Sequence, residues 1–298
     1  MSGATGPMRL WCTARREVVP FEPGPLVSLY TCGITPYDAT HLGHAAVYVT
    51  YDVLQRRLRD RGHETRCVRN ITDVDDSILG KARELGVHYL DLAAAETARF
   101  DDDMLALGLI PSFSEPRATS AIADIRGFIG MVLERGHAYQ AGGAVYFDVS
   151  SFGDFGSVSG YDRDEMLAAA AERGGNVDDR NKRDPLDFVL WQPSLDDEPS
   201  WESLWGPGRP GWHIECSALA LRELGTTIDL HGGEPTSSSR TTSASGPSRR
   251  RRRGSPSGGT GCTRRWCGWT ARRCRSRSAT WCSSPSSARS GSRWRSGS

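Results

Sequence analysis

Two cysteines and two histidines stand out because of where the sequence pattern puts them. Cys32 closely follows the apolar run 26–30, and nine residues later comes His41-Leu-Gly-His44; Cys216 lies far downstream in the segment Gly211-Trp-His-Ile-Glu-Cys216. The run 26–30 reads as a buried parallel strand, and residues 45–60 carry apolar side chains at helical spacing, so His41 and His44 fall where a strand hands over to a helix. A helix start offers unpaired N–H groups and the positive end of the helix dipole, both of which attract phosphate. Gly43 permits close backbone approach, and two imidazoles about one turn apart can donate to phosphoryl oxygens. Cys32 adds a soft metal ligand beside this nucleotide-binding turn.

The elements that must hold these groups are legible in outline. A second strand around 65–68 runs into the loop 70–76 (NITDVDD), which completes a βαβ start. Residues 77–136 contain long helical patterns at 90–107 and 121–135. Residues 144–149 read as a strand entering a Gly- and Asp-rich region, the Pro/Gly-rich stretch 201–211 leads back toward Trp212, and 228–233 looks like another core strand ending in a glycine turn. The carboxylates Asp73, Asp75 and Asp76 suggest a Mg²⁺ site, but an Asp-rich loop at a strand end more often caps the next helix, and that is the expectation here.

Charge divides the chain. From Glu234 to Ser298 there are fifteen arginines and one acidic residue, a net of +14 against +1 for the whole chain, which leaves −13 for residues 1–233. Those 233 residues suffice for one catalytic domain with an insertion. No apolar stretch is long enough to span a bilayer and the N-terminus lacks the layout of a secretion signal, so the expected location is cytoplasmic. In that reducing compartment Cys12, Cys32, Cys67 and Cys216 read as thiols or metal ligands. Cys262, Cys267, Cys274 and Cys282 lie in the basic tail and are given no role.

The segment 31–44 (TCGITPYDATHLGH) resembles the HIGH signature region of class I aminoacyl-tRNA synthetases. With 70–76, 182–191 (KRDPLDFVLW) and 208–217 (GRPGWHIECS), it is similar to the cysteine-activating branch, which contains cysteinyl-tRNA synthetase and the mycothiol-pathway ligase. The resemblance implies an α/β fold, a Rossmann-like (HUP-type) doubly wound parallel sheet interrupted by a mostly helical connective insertion. Its domains would be 1–79, an insertion at 80–200, a return to the catalytic domain at 201–233, and a disordered tail at 234–298. It also implies ATP-dependent activation of L-cysteine to cysteinyl-adenylate, with Mg²⁺ accompanying ATP. His41, Gly43 and His44 would bind the ATP phosphates, the two histidines acting catalytically. Cys32, Gly33, Ile34, Thr35, Asn70, Ile71, Thr72 and Trp212 would line the cysteinyl-adenylate pocket, although Trp212 could equally be a core aromatic. His231, Gly232 and Gly233 resemble the start of the adenosine-binding segment. Cys32 and Cys216 would hold Zn²⁺, which selects thiolate over alcohol and so cysteine over serine.

The likeness runs from about residue 8 to 233 and stops. Permitted codons for 235–243, each read with the last base of its predecessor, can spell DLIFPHHE, and the same shift over 269–283 can spell MDGEKMSKSLGNLVF. Both phrases match the family in the expected order, so the tail reads as out of frame from about Gly233. The third zinc ligand, a histidine of PHHE in the family, is replaced in frame by Thr241, Thr242 and Ser243. Poor or absent catalysis by this chain is therefore expected. The competing reading of the tail is a nucleic-acid-binding arm centred on 249–253, which would make the chain a non-catalytic nucleic-acid-binding protein.

The acceptor of the activated cysteine divides the two ligases. Residues 115–119 (EPRAT), 182–188 (KRDPLDF) and His231 before the glycines suit transfer to tRNA(Cys). The signature loop 34–40, His44, and 160–166 followed by 172–175 (ERGG) resemble the mycothiol-type enzyme, which acts on the amino group of glucosaminyl-inositol, although Asn176 and Val177 depart from its ERGGDP motif. Glucosaminyl-inositol is the expected acceptor and tRNA the alternative, with no membrane partner and a monomer expected.

Overall fold

The computed structural model describes residues 6–172 and 174–233. The disordered tail expected at 234–298, with its four cysteines and the PHHE position, lies outside the described residues. The chain opens with an antiparallel hairpin, β1 (Met8–Cys12) and β2 (Glu17–Phe21), paired from Met8↔Phe21 to Cys12↔Glu17. It then enters the central sheet with β3 (Leu26–Ile34), crosses through α1 (Leu42–Asp60) and returns as β4 (Glu64–Ile71), parallel to β3. This is the βαβ unit expected from the sequence. After it come α2 (Asp76–Leu85), α3 (Tyr89–Ala106) and α4 (Ile122–Glu134), the strands β5 (Ala138–Ala141) and β6 (Ala144–Phe147), and α5 (Arg163–Glu172). The chain continues through β7 (Phe188–Gln192) and β8 (Arg209–Pro210) into α6 (Trp212–Leu224), and ends in β9 (Leu230–Gly232), which pairs parallel to β3 on its free side.

The parallel sheet has the order β4-β3-β9. Its centre strand is apolar on both sides, as a strand covered by helices on both faces must be. Val27 and Leu29 pack with Tyr51, Leu54 and Leu58 of α1, while Tyr30 on the other face packs with Cys216 and Ala220 of α6. Residues 113–117 close the outer edge of β4: Phe113 N donates to Cys67 O at 2.7 Å, and Ile71 N donates to Pro116 O at 2.9 Å. An otherwise open strand edge is thereby covered.

Between β4 and α6 the chain forms the expected helices, α3 and α4 falling within a residue of the patterns at 90–107 and 121–135. Residues 138–210 also form a four-stranded antiparallel sheet, β5-β6-β7-β8, of which the sequence revealed only β6, and β8 lies beyond the 80–200 expected for the insertion. Strands of two to five residues leave too few alternations to register as a period. This sheet and α4 share a core with α6, where Ile125, Ile129, Val145, Leu190, Trp191 and Leu219 are fully or nearly fully buried. The helix carrying Cys216 is therefore wedged between the insertion and the parallel sheet. Among the described residues, no helix is long and apolar enough to cross a membrane.

Candidate active site

The expected site residues converge at the C-terminal ends of β3 and β4 and the starts of α1 and α6. His41 is the N-cap of α1 in extended conformation, and its Nδ1 accepts from Gly43 N at 3.1 Å and His44 N at 3.4 Å. With Nδ1 accepting, the neutral ring carries its proton on Nε2, leaving that nitrogen as the donor. The His41 and His44 rings stack with centroids 3.9 Å apart and planes 13° from parallel. The exposed position of His41 and the 88% exposure of Leu42 leave this end of α1 open to a ligand.

Asn70, at the end of β4, organises the neighbouring backbone and is 1% exposed. Its Oδ1 accepts from Tyr30 Oη at 2.9 Å, Gly33 N at 2.8 Å and Cys216 Sγ at 3.8 Å. Its Nδ2 donates to Thr72 Oγ1 at 3.1 Å. Gly33 has to be glycine, because a Cβ there would lie 1.4 Å from the Asn70 carbonyl oxygen. Thr72 N donates to Ile34 O at 2.9 Å, and Thr35 Oγ1 donates to Asp75 Oδ2 at 3.3 Å, so the ends of β3 and β4 are laced together. Ile71 is buried between them.

Cys32 and Cys216 meet, although 184 positions separate them. A hydrogen bond to Cys32, together with burial, pushes the Cys216 thiol well above its usual range. On the other side, Cys32 Sγ lies 3.8 Å from His231 Nε2, and the His231 ring sits edge-on to Tyr30 at 5.2 Å. Burial lowers the His231 ring to about 4, so it is a neutral imidazole at neutral pH. The donors present, two thiols beside a neutral imidazole, are the soft set that zinc prefers. Among the described residues no three His, Cys, Asp or Glu side chains converge as a finished metal site. The two sulfurs would supply two of the positions that a zinc site needs.

Gly232 and Gly233 end β9 under Tyr51 of α1: Gly233 N donates to Tyr51 Oη at 2.8 Å, and Tyr51 Oη donates to Gly233 O at 3.1 Å. Trp212 is the first residue of α6 and 47% exposed, one helical turn before Cys216, so the structure sets its indole at the surface and not in the core. Asp75 caps α2 by accepting from Ile78 N at 2.9 Å, and Asp73 accepts from Thr119 N at 2.9 Å and Thr119 Oγ1 at 2.6 Å, so both do structural work.

Glu215 went unnoticed in the sequence. It is 0% exposed and neither carboxylate oxygen has a hydrogen-bond partner. Burial and the neighbouring Cys216, Asp75 and Asp73 push its carboxyl well above the usual range. The only signal was position: an acidic residue directly before a candidate ligand, in the first turn of a helix.

Residues 18–236 match the family model for the tRNA synthetases class I (C) catalytic domain. The chain belongs to this family. It is 48% identical over 237 residues to the L-cysteine:1D-myo-inositol 2-amino-2-deoxy-alpha-D-glucopyranoside ligase of Gordonia bronchialis, covering 78% of this chain and 57% of that protein. It is 47% identical over 230 residues to the ligase of the same name from Mycolicibacterium smegmatis, covering 76% of this chain and 56% of that one. This member of the family therefore spans a little over half the length of the curated relatives it matches. The methionyl-tRNA synthetase of Mycobacterium tuberculosis, solved in complex with methionyl-adenylate, shares the fold with a TM-score of 0.51 at 15% identity, covering 70% of this chain and 51% of that one.

Proposed function

We propose that this catalytic domain activates L-cysteine with ATP and belongs to a ligase that passes the cysteinyl group to the amino group of glucosaminyl-inositol. The observation that carries the reading is the meeting of Cys32 and Cys216 beside the histidine turn of α1. A cysteine carboxylate oxygen attacks the α-phosphorus of ATP, forming the mixed anhydride while the bond to the leaving pyrophosphate breaks. The acceptor amine then attacks the anhydride carbonyl, AMP departs and the amine loses a proton. His41 and His44 hold phosphoryl oxygens at the helix start, where positioning and charge stabilisation supply most of the rate. Asn70 fixes Gly33 and the Cys216 thiol, and Tyr51 fixes the glycine segment. Zn²⁺ held by Cys32 and Cys216, when bound, supplies a Lewis-acidic position for the substrate thiolate; Mg²⁺ would accompany ATP.

The curated relatives named as ligases support the sugar-linked acceptor. Two of the motifs that suit a tRNA enzyme have scaffolding roles here. In KRDPLDF, Asp187 is 1% exposed and accepts from Tyr139 Oη at 2.7 Å, Val149 N at 2.9 Å and Asp184 N at 3.0 Å. EPRAT forms the edge segment on β4 and supplies Thr119 to Asp73.

Calorimetric titration of the Zn²⁺-loaded chain with L-cysteine and L-serine tests the activation half. Cysteine should bind and serine should not; equal affinity for the two would sink the reading. A version restored to the shifted frame, offered glucosaminyl-inositol and tRNA(Cys) in parallel with labelled cysteine, should label the former.

A further inference from the structure

Four other carboxylate residues are buried among the described residues, and each has a partner. Asp52 pairs with Arg56 and accepts from Ile110 N, Asp73 accepts from Thr119, Glu96 pairs with Arg99, and Asp187 accepts from Tyr139, Val149 N and Asp184 N. Glu215 has none. The charged and thiol groups facing it are Cys216, Asp75 and Asp73, with Thr72 as the neutral polar neighbour. The start of α6 offers it a favourable dipole but no full charge. A buried carboxylate without a cation is costly, and an arriving cation would offset that cost.

The reaction proposed above brings one. An α-amino acid enters as a zwitterion, and in cysteine the ammonium nitrogen is two carbons from the sulfur. Cys216 is the next residue after Glu215, and both turn toward the end of β4: the Cys216 thiol donates to Asn70 Oδ1, Asn70 Nδ2 donates to Thr72 Oγ1, and Thr72 lies beside the Glu215 carboxyl. A substrate whose sulfur sits at Cys32 and Cys216 can direct its nitrogen toward Thr72 and Glu215. Water exclusion strengthens an ammonium–carboxylate contact there.

We propose that Glu215 receives the α-ammonium group of the incoming amino acid, so that the pocket reads both the sulfur and the amino end. This rests on the cysteine-activating reading. Specificity then has two independent parts: the paired sulfurs reject serine, and Glu215 rejects thiols that lack an amine.

The test uses the full chain loaded with Co²⁺ and titrated calorimetrically with L-cysteine, with 3-mercaptopropionate, which lacks the ammonium, and with cysteamine, which lacks the carboxylate. Cysteine and cysteamine should each bind about tenfold or more tighter than 3-mercaptopropionate, the size of one charge-assisted contact. Glu215→Gln should erase that preference and leave the sulfur-to-Co²⁺ absorption band in place. Equal binding of 3-mercaptopropionate and cysteine by the unaltered chain, which needs no variant and so no refolding, overturns the proposal. So does a Glu215→Gln chain that keeps the preference, or one that loses the Co²⁺ band, since the carboxylate would then serve the metal. A flat titration with every thiol while the Co²⁺ band is present would instead bring down the cysteine-activating reading itself.

Discussion

The hydroxyl of Tyr51 grips Gly233 by both of its backbone polar groups, accepting from the amide at 2.8 Å and donating to the carbonyl at 3.1 Å. The same ring lies so close to Gly232 that a Cβ there would come within 2.1 Å of it. Tyr51 stands on α1, the helix that begins at the two histidines, so the histidine turn and the glycine segment are registered by one side chain. Burial raises its hydroxyl to about 12, keeping it protonated and able to donate.

Tyr51→Phe removes both bonds and strands a buried N–H and C=O. The expected loss is about 1–3 kcal/mol of stability, with faster hydrogen exchange at the Gly233 amide. Thermal denaturation and amide exchange check it, and an unchanged exchange rate at Gly233 would mean that the grip does not hold in solution.

The two sulfurs are predicted to act as one unit toward a metal. Cys32→Ser and Cys216→Ser should each abolish the sulfur-to-metal absorption seen on Co²⁺ titration, because a serine hydroxyl is a poor ligand at neutral pH. Cys67→Ser is the control. That thiol is raised to about 11 by burial and faces Thr31 inside the sheet, away from the pair. Its variant should retain the full absorption.

Much of this site was readable because its chemistry sits in contiguous words. The strand–turn–helix around 26–60 shows two clear periods, and Cys32, His41 and His44 carry side chains whose chemistry is uncommon enough to notice. Glu215 was not readable, since acidic residues are frequent in first helical turns and only the fold shows that this one faces no cation. The Asn70 hub was also invisible in that role: its importance comes from three donors, Tyr30, Gly33 and Cys216, brought from separate elements. The hairpin β1–β2 and the insertion's sheet were missed because two- to five-residue strands give no countable period. The outer edge of β4 was missed because residues 113–117, with a proline among them, look like a loop.

His231 should make stability pH-dependent. Its folded-state value is lowered to about 4 by burial, against 6.5 for an ordinary histidine. The folded state thus excludes a proton that the unfolded chain accepts below 6.5. Its contribution is complete above pH 6.5 and is lost as pH falls from there toward 4, by no more than about 3 kcal/mol. Glu215 acts with the opposite sign, because a carboxyl held above its usual value favours folding at low pH. Comparing urea denaturation of the chain and its His231→Asn variant between pH 7 and pH 4 isolates the histidine: the two curves should converge as pH falls. Parallel curves would show that His231 takes up its proton while folded.

Arg209 should be the residue through which the insertion holds α6 in place. It lies two positions before the N-cap Gly211 and is 4% exposed, with Nε donating to Glu198 at 2.9 Å and a second nitrogen on Asp76. Glu198 is itself buried and also takes Arg83, which in turn binds Asp197. The Asp76 side chain is 80% exposed, so that pair is worth little. The Glu198 pair is sealed, and removing one member leaves a charge in a poor environment. Arg209→Met should therefore cost about 3 kcal/mol, and adding Glu198→Gln should recover much of that loss. Because β8 leads directly into α6, the single variant should also weaken Co²⁺ binding at Cys216 even though Arg209 touches neither sulfur, while Asp76→Asn should leave it unchanged. A destabilised Arg209→Met chain that still binds Co²⁺ with full affinity would show that β7 and the core beneath α6, and not this ion pair, set the position of Cys216.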